Sequence, residues 1–148
     1  MRIVIGSDHA GWMLKPKVLE ILKARGHDVI DVGSHDDKPV DFPDITGQVC
    51  RRVVEGGAER GLLVCGTGVG ASIAANKVAG IRAAVCHDVH SAHQSVEHDD
   101  VNVMCIGAQI VGPWLAKDLI TAYLGAEFST EEDFRRRVAK LHEMDAGN

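Results

Sequence analysis

The stretch from Leu62 to Ile73 constrains the fold more than any other part of the sequence. It reads LLVCGTGVGASI: an apolar run, then alternating glycines, then residues that can begin a helix. Such a short apolar run is typical of a strand in a parallel sheet covered on both faces. The glycines allow a tight turn and let a ligand approach backbone N–H groups. The stretch therefore predicts a strand, a ligand-binding loop and a helix.

Apolar strands alternate with amphipathic helical segments along the whole chain. The predicted strands cover residues 2–6, 28–33, 62–64, 80–86 and 101–107. The predicted helices follow them at about residues 14–25, 45–54, 71–76, 87–98, 113–124 and 130–144. This alternation indicates parallel βαβ units with helices on both sheet faces. We therefore expect one domain over residues 1–148, an α/β three-layer α/β/α Rossmann-like domain with a five-stranded parallel sheet.

The last predicted helix has features of a segment that meets a partner subunit. Its start is predicted at a capping box, formed by Ser129 with Glu132 or by Thr130 with Asp133. Its inward stripe is predicted to consist of Phe134, Val138 and Leu141. Arg137 projects beside that stripe, where an arginine usually meets an anion or a neighbouring subunit.

Composition excludes several classes of partner. The formal net charge of −5 argues against nucleic acid or an anionic membrane as the main partner. Because a predicted strand begins at residue 2, we expect no signal peptide. The four cysteines, Cys50, Cys65, Cys86 and Cys105, form no C-x-x-C motif. We read them as reduced thiols of a cytoplasmic protein.

Cys65 lies where the central strand ends and the glycine loop begins. The positive N-terminal end of the following helix would favour its thiolate, so Cys65 is a candidate base or nucleophile. A second interpretation is a dinucleotide-binding loop, since Gly66-x-Gly68-x-x-Ala71 fits that pattern and Asp88 follows at about the right distance. A third is a structural turn with a small buried cysteine.

Asp8 and His9 follow the first predicted strand. Exit loops of parallel strands open on one edge of the sheet, so these residues and Cys65 can share a cleft. The alternative is that Asp8 caps a helix and His9 is a surface residue.

A group of histidines and acids near residues 87–100 has two interpretations. Its members are His87, Asp88, His90, His93, His98, Asp99 and Asp100. They resemble metal ligands at first, but their spacing gives no compact ligand set, so we expect a solvated helix end and no metal. His98, at the end of the predicted helix, is a candidate acid or base at neutral pH.

Several segments together resemble the ribose-5-phosphate isomerase B family, which includes the galactose-6-phosphate isomerase subunits. These segments are Asp8-His9-Ala10-Gly11, Cys65-Gly66-Thr67-Gly68-Val69-Gly70, Ala74-Ala75-Asn76-Lys77, Gly80-Ile81-Arg82 and Asn102-Val103. The resemblance extends from Met1 to about Leu141. It implies a cofactor-free aldose–ketose isomerase of a phosphorylated sugar that works through a cis-enediolate.

The resemblance also implies roles for individual residues. Cys65 would be the base, while Thr67 and His98 would open the sugar ring. The implied substrate-binding residues are Asp8, His9, Gly66, Gly68, Val69, Gly70, Asp99 and Arg137. Among them, Asp8 would bind sugar hydroxyls, and His9 and Arg137 the phosphate. Family members are homodimers or dimers of dimers, and each active site is built from two subunits.

Three positions depart from the family pattern. Phe42 stands where members often carry tyrosine, and Gln109 where members have an arginine that can help bind phosphate. The usual partner of Arg137 falls near Glu132 or Asp133. The substrate therefore stays open: ribose 5-phosphate is the default, beside a tetrulose phosphate or a hexose 6-phosphate. A catalytically silent subunit of a two-chain isomerase is a further alternative.

Overall fold

The computed structural model describes residues 1–146, so residues 147–148 of the predicted domain lie outside the described residues. The strands are β1 (Arg2–Ser7), β2 (Asp28–Asp31), β3 (Arg60–Cys65), β4 (Ala83–Val85) and β5 (Val103–Gly107). The helices are α1 (Lys15–Ala24), α2 (Phe42–Val54), α3 (Val69–Ala75), α4 (Val89–Asp99), α5 (Pro113–Gly125) and α6 (Glu132–Ala146).

The five strands form one parallel sheet in the order β2-β1-β3-β5-β4. The predicted α/β fold with a five-stranded parallel sheet is confirmed. The chain moves outward from β1 to β2 and then returns to β3 on the other side of β1. Such a reversal opens a crevice at the carboxyl ends of the two central strands, where ligands bind in open α/β sheets. The fold thus places a cleft between the ends of β1 and β3.

Helices cover both faces of the sheet and create two apolar cores. On one face, α1, α4 and α5 pack against side chains such as Ile5 and Met104. On the other face, α2 and α3 pack against Val4, Leu63 and Cys105. Because β1, β3 and β5 are covered on both sides, they are apolar without alternation, as the sequence predicts.

Helix α6 lies outside these layers and packs mainly on α4. Val138 is buried as predicted, but Leu141 is 41% exposed, so the prediction that it faces inward is wrong for this chain alone. The predicted capping box is also wrong. Ser129 Oγ accepts from the N–H of Glu131, and the helix begins only at Glu132.

Strand β4 is shorter than predicted because side-chain amides replace part of its ladder. Asn102 Oδ1 accepts from the N–H of Arg82, and Asn76 Oδ1 accepts from the N–H of Ala83. Gly80 has a positive φ of 86°, which an extended strand cannot use. Residues 80–82 therefore form a bonded turn that leads into the strand.

Within residues 1–146, no helix combines the length and the apolar character needed to cross a bilayer. All four cysteines are free and buried.

Candidate active site

Cys65 and Asp8 meet at the carboxyl ends of the two central strands. Cys65 is the last residue of β3, and Asp8 directly follows β1. The Cys65 thiol donates to Asp8 Oδ2 across 3.4 Å, while the N–H of Gly11 donates to Asp8 Oδ1 across 2.9 Å. Asp8 is 7% exposed and Cys65 9% exposed. The pair is therefore largely shielded from water and held in a fixed relative position.

The other three cysteines lie in a different environment. Burial raises the pKa of the Cys50 thiol to about 11, and it also raises the pKa values of Cys86 and Cys105. These thiols stay protonated at neutral pH and are at most 1% exposed. Cys65, with its carboxylate partner, is the cysteine suited to proton transfer.

The loop after Cys65 presents backbone amides to the cleft. Gly68 adopts a left-handed φ of 81° and serves as the N-cap of α3. The N–H of Ser72 makes the first bond of α3, to the carbonyl of Gly68. The amides of residues 68–71 therefore precede the intrahelical ladder and are oriented as donors at a helix N-terminus. The N–H of Val69 donates to Thr67 Oγ1 across 3.3 Å.

Two side chains flank this loop closely. A Cβ on Gly66 would lie 3.2 Å from Gln109 Nε2, and one on Gly70 would lie 2.8 Å from the ring of Phe42. Two of the three family departures noted in the sequence, Phe42 and Gln109, thus border the glycine loop. The loop has glycine at these positions because a larger residue would displace its neighbours.

The β5–α5 loop is bonded to the glycine loop. The N–H of Ala108 donates to the Cys65 carbonyl, and the N–H of Gln109 donates to the Gly66 carbonyl. His87 extends the arrangement, because its Nε2 accepts from the N–H of Gly107 across 2.9 Å. Desolvation lowers the His87 pKa below its usual 6.5, which keeps this nitrogen an acceptor. The sequence pattern suggests His87 only as a metal ligand, and nothing in it indicates this supporting role.

His9 also lies at this edge of the sheet. Its Nδ1 accepts from the N–H of Val40 across 3.2 Å, so a hydrogen on the neutral ring sits on Nε2. The exposed His9 can thus offer an N–H donor to a ligand.

The predicted site residues His98, Asp99 and Arg137 lie apart from Cys65, and together with Phe134, which was predicted only as an apolar stripe residue, we call them the His98 cluster. The His98 and Phe134 rings stack with centroids 4.0 Å apart and planes 15° apart. Arg137 Cζ lies 5.7 Å from the Phe134 centroid. Asp99 is the exposed last residue of α4. Arg137 is exposed and makes no salt bridge within residues 1–146.

The His98 cluster lies at the edge of the sheet formed by the amino ends of the strands, whereas Cys65 lies at the edge formed by their carboxyl ends. Helix α4 begins beside the end of β5, where His87 contacts Gly107, and runs back against the strand direction. It ends beside the start of β4, where the Asp100 carbonyl accepts from Arg82 Nε. Eleven helical residues span about 16 Å. The predicted site residues of one chain therefore form two groups that the chain alone does not bring together.

The histidines of α4 do not converge. His93 pairs with Glu97 on the same helix, and Asp88 caps α4 by accepting from the N–H of Ser91 across 2.7 Å. Within residues 1–146, no three His, Cys, Asp or Glu side chains are grouped to hold a metal ion. The dinucleotide interpretation would need the Asp88 side chain to bind a ribose, but that side chain already caps α4.

Comparison with known proteins identifies what this arrangement resembles. The family model described as Ribose/Galactose Isomerase matches residues 3–141. Ribose-5-phosphate isomerase B of Escherichia coli is 46% identical over 127 residues, covering 86% of this chain and 85% of that protein. D-erythrulose-4-phosphate isomerase 2 of Mycolicibacterium smegmatis is 42% identical over 141 residues, covering 93% of each chain. The structure of Clostridium thermocellum ribose-5-phosphate isomerase B superposes with a TM-score of 0.96 at 46% identity, covering 99% of both chains.

Proposed function

Because this chain belongs to the ribose/galactose isomerase family and is a sugar-phosphate aldose–ketose isomerase, we propose that it interconverts ribose 5-phosphate and ribulose 5-phosphate through a cis-enediolate, with Cys65 as the base. The observation that carries the proposal is the Cys65–Asp8 contact beside the amides of the glycine loop. No metal enters the mechanism, and we expect activity to survive exhaustive chelation.

In the proposed mechanism, Cys65 carries one proton between two neighbouring carbons. The reaction begins from the Cys65 thiolate, which the positive N-terminal end of α3 favours, while Asp8 Oδ2, 3.4 Å from Sγ, holds the sulfur in place. The thiolate removes the proton from C2 of the open-chain aldose, and the C2–H electrons form the enediolate double bond as the C1 carbonyl becomes an alkoxide. A proton moves from O2 to O1, and Cys65 returns the carbon-bound proton to C1. The ketose forms and the thiolate is regenerated.

The glycine loop stabilises the charge that develops on the sugar oxygens. Backbone N–H groups at a helix start are fixed donors, so they need little reorganisation when the enediolate forms. Removing one such donor typically costs about 100- to 1,000-fold in rate. The bonds from the β5–α5 loop to the carbonyls of Cys65 and Gly66 hold these donors in place.

In the proposed site, the residues that bind the phosphate and open the sugar ring come from both edges of the sheet. His9 offers an Nε2–H donor at the Cys65 edge, whereas Arg137 and His98 lie at the other edge. Since about 16 Å of helix separates the two edges, a complete site needs the His98 cluster of a second copy. We therefore propose a homodimer, or a dimer of such dimers, in which Arg137 of one subunit binds the phosphate held by His9 of the other.

A substrate panel tests the proposed function. The purified protein is incubated in deuterium oxide with ribose 5-phosphate, a four-carbon aldose 4-phosphate and galactose 6-phosphate. We expect aldose–ketose conversion with deuterium incorporation at the carbon next to the carbonyl. Conversion of the five-carbon sugar with the highest kcat/KM supports the proposal, and inactivity on all three would overturn it.

The relationship to the Mycolicibacterium enzyme favours one second candidate. That protein is named for a four-carbon substrate and is 42% identical to this chain. Gln109 beside Gly66 places an amide at the glycine loop, where it can bond a hydroxyl of a shorter sugar. A higher kcat/KM for the four-carbon sugar in the same panel would select this candidate.

A further inference from the structure

Phe134 contacts two side chains to which the proposed function gives different tasks. Its ring stacks on the His98 ring at 4.0 Å and 15°, and the Arg137 guanidinium carbon lies 5.7 Å from its centroid. His98 belongs to α4, whereas Phe134 and Arg137 belong to α6. The half-buried phenyl ring therefore links the proposed ring-opening group to the proposed phosphate ligand.

The orientation of the His98 ring depends on this stack. The Glu97 carboxylate oxygen near His98 Nε2 is 3.7 Å away, which is too far for a hydrogen bond. An imidazole turns readily about its last torsion unless packing fixes it. A near-parallel aromatic neighbour fixes the ring plane without engaging either ring nitrogen. Such a ring is ready to exchange a proton with a sugar oxygen that arrives from outside the chain.

Arg137 is placed by the same phenyl ring. A guanidinium over an aromatic face keeps its N–H groups free to donate, whereas a carboxylate partner would occupy them. The neighbouring arginines have hydrogen-bond partners of their own: Arg136 pairs with Asp133, and Arg135 donates from Nε to the Ser129 carbonyl while it lies over Phe128. Arg137 thus retains its donors for a phosphate while its side chain is restrained.

We propose that Phe134 is a positioning residue that orients His98 and Arg137 together for the sugar phosphate bound by a neighbouring subunit. This inference rests on the proposed function. It adds that the two groups form one preassembled unit, so the loss of a single apolar ring should impair ring opening and phosphate binding together.

The test compares Phe134→Leu with a matched Phe128→Leu control. Both changes remove a phenyl ring from beneath an arginine, but only Phe134 touches His98. Buried Val138 continues to anchor α6 in both variants. Phe134→Tyr keeps the ring and serves as the conservative variant. Circular dichroism and thermal melting establish that each variant is folded.

Kinetics and nuclear magnetic resonance give independent readouts. For ribose 5-phosphate we expect Phe134→Leu to lower kcat about 5- to 10-fold through His98 and to raise KM about 2- to 5-fold through Arg137. With a four-carbon 4-phosphate, which forms no ordinary furanose, KM should rise and kcat should stay near wild type. Without substrate, the upfield ring-current displacement of the His98 ring protons should disappear in Phe134→Leu and persist in Phe134→Tyr and Phe128→Leu.

Three outcomes would overturn the inference. One is wild-type kinetics in folded Phe134→Leu, and a second is an equal loss in Phe128→Leu. The third is an unshifted His98 resonance in the wild type, which would mean that no stack exists in solution. If the wild type itself isomerises no sugar phosphate, the proposed function falls and this inference falls with it.

Discussion

The two edges of the sheet are built differently, although the proposed site needs both. At the Cys65 edge, the groups facing the cleft are a thiol, a carboxylate and backbone amides, held by bonds between three strand-end loops. At the His98 edge, the proposed groups are the side chains of His98 on α4 and Arg137 on α6, and both contact the ring of Phe134. Chemistry that moves a proton between carbons needs fixed donors, and the first edge supplies them. Recognition of a phosphate needs a positive group with free N–H donors, and Arg137 at the second edge supplies it.

The electrostatics of the two edges also differ. The chain carries a formal net charge of −5, and Asp8 adds a carboxylate beside Cys65. In the proposed site, a sugar phosphate bound only at that edge would have the Nε2–H donor of His9 as its phosphate ligand. Arg137 at the other edge provides the complementary positive group. The comparison therefore supports the proposal that a complete site combines two chains.

The largest expected effect comes from the Cys65 edge. Cys65→Ala removes the proposed base, so proton transfer should slow by at least 100- to 10,000-fold, the usual contribution of a general base. The measurement is deuterium incorporation from solvent into the sugar. Cys50→Ala is the matched control, because it removes a thiol from the same apolar core without touching Asp8. Near-normal exchange in Cys65→Ala would refute the assignment.

A smaller loss is expected from the His98 edge. Arg137→Ala removes charge-assisted bonds to the phosphate, which are worth about 1.5–3 kcal/mol, so kcat/KM should fall about 10- to 100-fold. Most of the loss should appear in KM, and the proposed dimer should stay intact by analytical ultracentrifugation. Arg136→Ala provides the control, since that exposed arginine already pairs with Asp133. If KM rises equally in both variants, general surface charge and not a specific phosphate ligand is responsible.

His98 separates ring opening from isomerisation. His98→Asn should lower kcat for cyclic ribose 5-phosphate by about 100-fold, a typical contribution of acid–base catalysis. On a four-carbon 4-phosphate it should have little effect, because that substrate has no ring to open. Steady-state rates on the two sugars give the comparison. Equal losses on both would place His98 in the isomerisation step.

The smallest effect concerns the loop support at the Cys65 edge. His87 has a pKa lowered below 6.5 by desolvation, whereas the unfolded chain binds the proton near pH 6.5. Its stabilising contribution is therefore complete above that pH and is lost as the pH falls through the lower folded value. The urea midpoint of the wild type should drop between about pH 7.5 and about pH 5 more than that of His87→Asn. Identical drops would mean that His87 does not support the loop.

Sequence reasoning succeeded where it depended on strand ends. The run before Cys65 and the one before Asp8 are apolar enough to mark buried parallel strands, and parallel strands end at one edge. The contact between Cys65 and Asp8 could therefore be expected from the sequence. The separation of His98 from Cys65 was also present in the sequence, since a helix after β4 must return to the other edge. Our interpretation did not use that signal.

Other features depend on contacts that no local pattern encodes. Phe134 fits an apolar stripe equally well whether it enters a core or stacks on a histidine of another helix. Leu141 has the right spacing to face inward, yet α6 packs mainly on α4 and leaves Leu141 exposed. The carboxylate partner of Cys65 and the acceptor role of His87 depend on atoms distant in sequence.

Subunit mixing tests the central claim, that each site combines the Cys65 edge of one chain with the His98 edge of another. Cys65→Ala and Arg137→Ala subunits are mixed in equal amounts, allowed to exchange, and assayed below KM while native mass spectrometry counts heterodimers. Half of the dimers should be mixed, each with one intact site, so activity should recover to about one quarter of wild type. Activity no higher than the mean of the two parent variants, with heterodimers present, would contradict the account.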